Sequence, residues 1–262
     1  MVFTDTINLP NLAGAEVMGF VLVMARVGGL FVLAPGFSSK MIPAQAKLII
    51  AAAISFAIMP IATHGHPLPT DPGPLAFLIM KEILVGLGFA LPLAMLGGAI
   101  QAGATLLDTM IGFSFASQVD PITNTQNAVI SQLYSLFTVM IFLLTGGDAL
   151  MIEGLAASYR IVPINHVPSF SGMTGAMVTQ LDQVFVAGME IVAPVVIALI
   201  ISDAAFGLVS RAVPQMNVFF VGLPAKIMLG FLVIGATLPF VAAHLSDQLQ
   251  ASVQQALQTL AS

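Results

Sequence analysis

Long apolar runs, each interrupted by at most two ionisable residues, dominate the chain. Six stand out. They cover about 12–35 (interrupted by Glu16 and Arg26), 42–62, 75–100 (Lys81 and Glu82), 128–146, 184–209 (Glu190 and Asp203) and 218–243 (Lys226). A membrane barrel would show roughly ten-residue stretches of alternating polarity. Continuous runs near 20 residues instead read as spanning helices, because a helix satisfies its own backbone inside hydrocarbon. At about 1.5 Å per residue, ~20 residues cross a ~30 Å core. Several runs are longer, which predicts tilt, kinking or extension beyond the bilayer. Pro60, Pro92, Pro194, Pro224 and Pro239 fall inside the runs. Each removes a helix hydrogen bond and invites a bend. The expected fold is an all-α membrane protein of about six kinked or tilted apolar helices, in one domain spanning 1–262.

The connectors differ in character. Residues 64–74 form a Pro/His turn. Residues 101–127 are the longest semi-polar stretch between two runs, with Asp108, Gly112, Asp120-Pro121 and Asn124. A packed re-entrant loop is expected there, at about 103–124. Residues 147–182 carry a short amphipathic piece at 148–159 and a Pro/Ser/Gly loop at 163–175. The tail 244–262 reads as a polar amphipathic helix rich in Gln. Small residues cluster at Ala51–Ala53 with Ser55, and at Gly97-Gly98 with Ala102, where helix backbones can approach closely. They serve internal packing or receive another subunit. Cations sit in the first connector (Lys40, Lys47), the fourth (Arg160) and the fifth (Arg211). If cations stay cytoplasmic, connectors one, three and five face inward and both termini outward. The first cation is Arg26, deep in an apolar run, so no basic region precedes an apolar signal core. Insertion is expected to rely on the helices themselves.

Composition sharpens this picture. Hydrophobic residues make up 58% of the chain and charged residues 7%, against about 25% charged in soluble domains. Such a chain cannot cover a water-facing surface with polar groups, which excludes a soluble enzyme. The formal net charge of -5 is spread singly, and no basic patch offers a footprint for nucleic acid. Cysteine is absent, which excludes disulfides, thiolate metal sites and cysteine nucleophiles.

Nothing in the sequence reads as a catalytic, metal or cofactor site. There is no GxxxxGK phosphate loop and no HExxH. His64 and His66 lack neighbouring ligands and read as loop histidines. Ser114 and Ser117 have no nearby base. Arg26, Lys81, Glu82, Glu190, Asp203 and Lys226 lie in or beside apolar runs, and such residues usually face the protein interior. Structural ion pairs or subunit contacts are expected of them, with an ion relay as the rival role. Lys81 and Glu82 are adjacent, about 100° apart on a helix, and are not expected to pair with each other. The stretch Gly112-Phe113-Ser114-Phe115-Ala116-Ser117 has the makings of an apolar gate. Glycine supplies backbone freedom, and two rings can close a narrow passage by expelling water.

The run Ser-Arg-Ala-Val-Pro-Gln-Met-Asn-Val-Phe-Phe-Val-Gly-Leu-Pro-Ala-Lys at 210–226 closely resembles the signature of the FliR family, membrane components of the flagellar type III export apparatus. The residues that carry the likeness include Arg211, Pro214, Gln215, Asn217, Phe219, Pro224 and Lys226. The virulence-secretion relatives, the SctT group, share the Pro-Gln-x-Asn-Val-Phe core, whereas the Gly-x-Pro-x-Lys part looks flagellar. Arg26–Pro35, Ile42-Pro43 with Lys47, Lys81-Glu82 with Gly86 and Gly88, Gly112–Ala116 with Asp120-Pro121, and Pro194 with Asp203 resemble further family elements. The resemblance implies helices arranged as hairpins and a multi-pass place in the bacterial inner membrane, at the flagellar basal body. It implies a non-enzymatic, channel-forming subunit of the export gate. The implied partners are FliP-like and FliQ-like subunits, FlhB-like and FlhA-like components, unfolded flagellar proteins in transit and membrane lipid. It further implies that Gly112, Phe113, Ser114, Phe115 and Ala116 belong to a plug. Pro214 to Asn217 are expected to set the junction of the last two long helices, with Gln215 and Asn217 meeting exposed carbonyls. The alternatives are a virulence-secretion counterpart, a secondary transporter coupling through Arg26, Glu82 or Asp203, and an intramembrane enzyme.

Overall fold

A computed structural model describes residues 14–38, 42–64, 72–113, 128–166 and 170–261. The described residues form seven helices and no strand. These are α1 (Gly14–Leu33), α2 (Ala44–Thr63), α3 (Pro72–Ile111), α4 (Val129–Leu144), α5 (Gly147–Ile161), α6 (Phe170–Ala212) and α7 (Val218–Ala261). Five of them are long and apolar enough to cross a membrane, or six spans if α4 and α5 together count as one broken span. The all-helical apolar class read from the sequence is the class observed.

The helix ends follow local chemistry rather than hydropathy. α3 runs on past the apolar stretch through Gln101, Thr105 and Asp108 to Ile111. Thr105 and Thr109 bond back to the carbonyls of Gln101 and Thr105, at 2.8 and 3.1 Å, so these polar residues fit within a helix. α7 likewise continues through the tail to Ala261. There Leu245, Leu249, Val253, Ala256 and Leu260 are buried, a spacing that lines one helix face. All five prolines lie inside helices. The break between α4 and α5 falls instead at Thr145-Gly146, where Gly146 takes φ +72°. That left-handed conformation ends helices and suits glycine.

The chain divides into two compact units. One comprises 1–93, 148–178 and 253–262. Its core includes Leu22, Val27, Leu30, Val85, Phe89, Met151 and Leu155. α1 packs on α3 with backbones in contact. A Cβ on Gly29 would lie 2.5 Å from the Ile83 carbonyl oxygen, and one on Gly86 would collide with the Arg26 carbonyl. The other unit comprises 94–147 and 179–252. Its core includes Ile100, Leu107, Ile130, Phe142, Ile191, Val195 and Leu199. A Cβ on Gly188 of α6 would lie 2.5 Å from the Ala99 Cβ of α3, so small residues set that approach too.

Candidate functional site

The first unit holds a buried charged cluster. Arg26 of α1 and Glu82 of α3 are both fully buried, with Arg26 Nε 2.5 Å from Glu82 Oε2 and Nη2 3.1 Å from Oε1. This two-pronged pairing matches the guanidinium fork to the carboxylate. Arg26 also donates to Ser158 Oγ at 3.0 Å and to the Val162 carbonyl at 2.9 Å. Its guanidinium carbon sits 3.8 Å over the Tyr159 ring, a cation–π contact. Lys81 Nζ donates to the carbonyls of Pro163, Ile164 and His166 at 3.2, 2.5 and 3.1 Å. Together the two cations meet the carbonyls at and beyond the C-terminus of α5, which lack intrahelical partners and carry partial negative charge.

Lys81 also pairs with Glu82, its Nζ 2.7 Å from Oε1, contrary to the expectation for adjacent residues. Their Cα–Cβ bonds diverge, but the lysine stem is long enough to swing its ammonium back over the carboxylate. Among the other charges read from the sequence, Lys226 pairs with Asp203 at 2.7 Å. Glu190 lies 3.3 Å from His244.

In the second unit the end of α3 meets the start of α7. Gly112 takes φ +104°, and a Cβ there would lie 2.5 Å from Leu223 Cδ1 of α7. The left-handed conformation suits glycine, and a Cβ would also have to displace the Leu223 side chain. Phe113 turns its ring edge-to-face on Phe231, centroids 6.4 Å apart. A groove of about 280 Å³ opens beside them, lined by Ile111, Gly112, Phe206, Phe219 and the Asp203–Lys226 pair among others. The candidate plug thus begins against the stretch that carries the family-like signature. Ser114, Phe115, Ala116, Ser117, Asp120, Pro121 and Asn124 lie outside the described residues, as do Lys40 and His66.

Both ends of that connector are tied down by Asp108, which is buried. Its carboxylate accepts the Ile130 and Ser131 backbone N–H groups at 2.8 and 2.9 Å and the Ser131 hydroxyl at 2.5 Å. A residue near the end of α3 thereby caps the first turn of α4, whose N–H groups have no helical partners. Sequence reasoning gave Asp108 no role. The available signal was that it is the lone carboxylate of 101–119. Ser158 and Tyr159 were missed as well, being ordinary residues on an amphipathic helix.

The signature itself joins α6 to α7. Arg211 lies in the last turn of α6, where a cation suits the helix end. Pro214, Gln215 and Asn217 are exposed in the turn. The turn closes through backbone bonds, Met216 N–H to the Val213 carbonyl at 3.1 Å and Phe220 N–H to the Asn217 carbonyl at 3.2 Å. These two bonds of the turn are made by the backbone N–H groups of Met216 and Phe220. Pro224 sits inside α7, and Phe219 and Phe220 stand 51% and 73% exposed. Among the described residues no three His, Asp or Glu converge as metal ligands.

Residues 17–252 match the family model of bacterial export proteins, family 1. The chain is 32% identical to the flagellar biosynthetic protein FliR of Bacillus subtilis over 220 residues, 82% of this chain and 84% of that one. It is 26% identical to FliR of Escherichia coli over 84% of each chain. It is 30% identical to the surface presentation of antigens protein SpaR of Shigella flexneri, over 60% of this chain and 61% of that one. A match of that extent, with the Arg211–Lys226 signature seated at the α6–α7 turn, establishes that the chain belongs to family 1 of the bacterial export proteins, the FliR family.

Proposed function

We propose that this chain is a non-enzymatic, channel-forming subunit of the flagellar type III export gate in the bacterial inner membrane. It assembles with FliP-like and FliQ-like subunits, works beside FlhB-like and FlhA-like components, and helps to pass unfolded flagellar proteins. The observation that carries this reading is the meeting of Gly112-Phe113 with Leu223 and Phe231. The base of the candidate plug rests on α7, the helix that carries the second half of the family signature. Asp108 holds that base, so the connector leaves from a fixed point. The exposed rings of Phe219 and Phe220 support contact with further apolar subunits, since large exposed apolar surfaces mark lipid or protein contacts. The Gly-x-Pro-x-Lys part of the signature and the 32% identity to FliR of Bacillus subtilis support the flagellar system over the virulence counterpart.

Replacing Phe113 and Phe115 with Ala removes two rings from the proposed gate. The assembled complex, reconstituted in planar bilayers, should then pass small ions in its closed state. Conductance equal to that of the unaltered complex would remove the gating role.

A further inference from the structure

A carboxylate stands half-exposed on an apolar face of α6. Glu190 is 56% exposed and lies within the candidate span Leu181–Ala212. His244 Nε2 of α7 approaches to 3.3 Å, but among the described residues that buried nitrogen has no hydrogen-bond partner, so it is close without donating. Around the carboxylate runs a groove of about 340 Å³ along Phe185, Val186, Met189, Ala193 and Ile197. Phe185 and Ile197 are 53% and 57% exposed. Val186, Glu190, Ala193 and Ile197 follow the spacing of one helix face, the pattern by which a second helix packs.

The occupant of this face has to answer two demands. It must cover apolar side chains, and it must satisfy one anion. Lipid tails meet the first and fail the second, because an ionised side chain in hydrocarbon is costly without a partner. A water-filled passage meets the second, but among the described residues Glu190 is the lone polar one lining the groove. We propose that this face of α6 docks an apolar membrane helix of a partner subunit that brings one basic side chain, arginine or lysine, to Glu190. The pairing completes a site that His244 leaves unfinished. The inference rests on the gate reading for one premise, that the chain works beside other membrane subunits.

The test places a photo-reactive benzoylphenylalanine at Ile197 in the full chain, in native membranes, and maps the adduct by mass spectrometry. The adduct is expected on an apolar segment with a Lys or Arg within one helical turn. E190K should lower its yield about tenfold or more, since it sets cation against cation. E190Q should lower it about threefold, through loss of the charged acceptor. Reversing the linked cation to Glu should restore the E190K yield, which a merely misfolded chain could not show. Adducts confined to lipid, a linked segment without a basic residue, an E190K yield that is unchanged, or a loss that no reversal restores would each overturn the proposal. Export is scored in the same cells. A charge-dependent adduct in a chain dispensable for export would remove the function proposed above and leave the docking face intact. An essential chain without such an adduct would do the reverse.

Discussion

Gly86 stands one helical turn beyond Glu82, and that spacing makes the buried lock possible. With no Cβ at Gly86 or Gly29, the α1 and α3 backbones touch, and the Arg26 fork arrives square on the carboxylate. Glu82 answers two cations, and the remaining positive charge faces carbonyls at the end of α5. A buried cluster of this kind is of little net worth against a well-packed apolar substitute, but removing Glu82 alone leaves two buried cations without their carboxylate, and breaking such a pair costs about 3–5 kcal/mol. E82M should therefore lower the thermal midpoint in detergent sharply, followed by helical circular dichroism. R26M/E82M should recover only part of the loss, because Lys81 still lacks its carboxylate. A midpoint for E82M equal to that of the unaltered chain would show that the lock contributes no stability.

At the scale of elements, the decisive joint is the non-local cap from α3 to α4. Loss of an N-cap carboxylate costs about 0.5–2 kcal/mol, and D108A also leaves the buried Ser131 hydroxyl with poorer company. D108A should speed amide hydrogen exchange in the first turn of α4 far more than in its last turn. Uniform protection along α4 would mean that the cap does not hold it. Beyond the lone carboxylate at Asp108 the sequence gives no sign of this joint, because the side chain that makes it is 22 positions away in the chain. The helices themselves were legible, because long apolar runs have few other ways to satisfy a backbone in lipid. Their ends were less so. Hydropathy falls at Gln101 and at His244, whereas α3 and α7 continue, since neither residue type breaks a helix. Proline drew attention as the expected interrupter of the runs, yet the break between α4 and α5 is at Gly146. Lys81 and Glu82 were legible as important, but their pairing was hidden by arguing from Cβ directions without the reach of the side chains.

For the molecule as a whole, the fate of its charges separates a gate subunit from a solute carrier. A carrier needs an ionisable group that binds and releases its cargo or coupling ion. Both oxygens of Glu82 are engaged by Arg26, and Lys81 adds a second contact to one of them. Arg26 also donates to Ser158 and Val162, and Asp203 is paired with Lys226. The three residues a carrier would use are thus committed to holding helices together. Large apolar side chains meanwhile stand exposed in both units, Ile49 at 69% in one and Met228 at 74% in the other, a surface that calls for lipid or sister subunits. The purified chain alone, reconstituted in liposomes, should accordingly neither accumulate small solutes under a proton gradient nor conduct. Conductance should arise only when FliP-like and FliQ-like subunits are co-reconstituted and the plug residues are altered. Gradient-driven uptake by the lone chain that E82Q abolishes would reverse the assignment, because it would require Glu82 to leave Arg26 and Lys81 in every transport cycle.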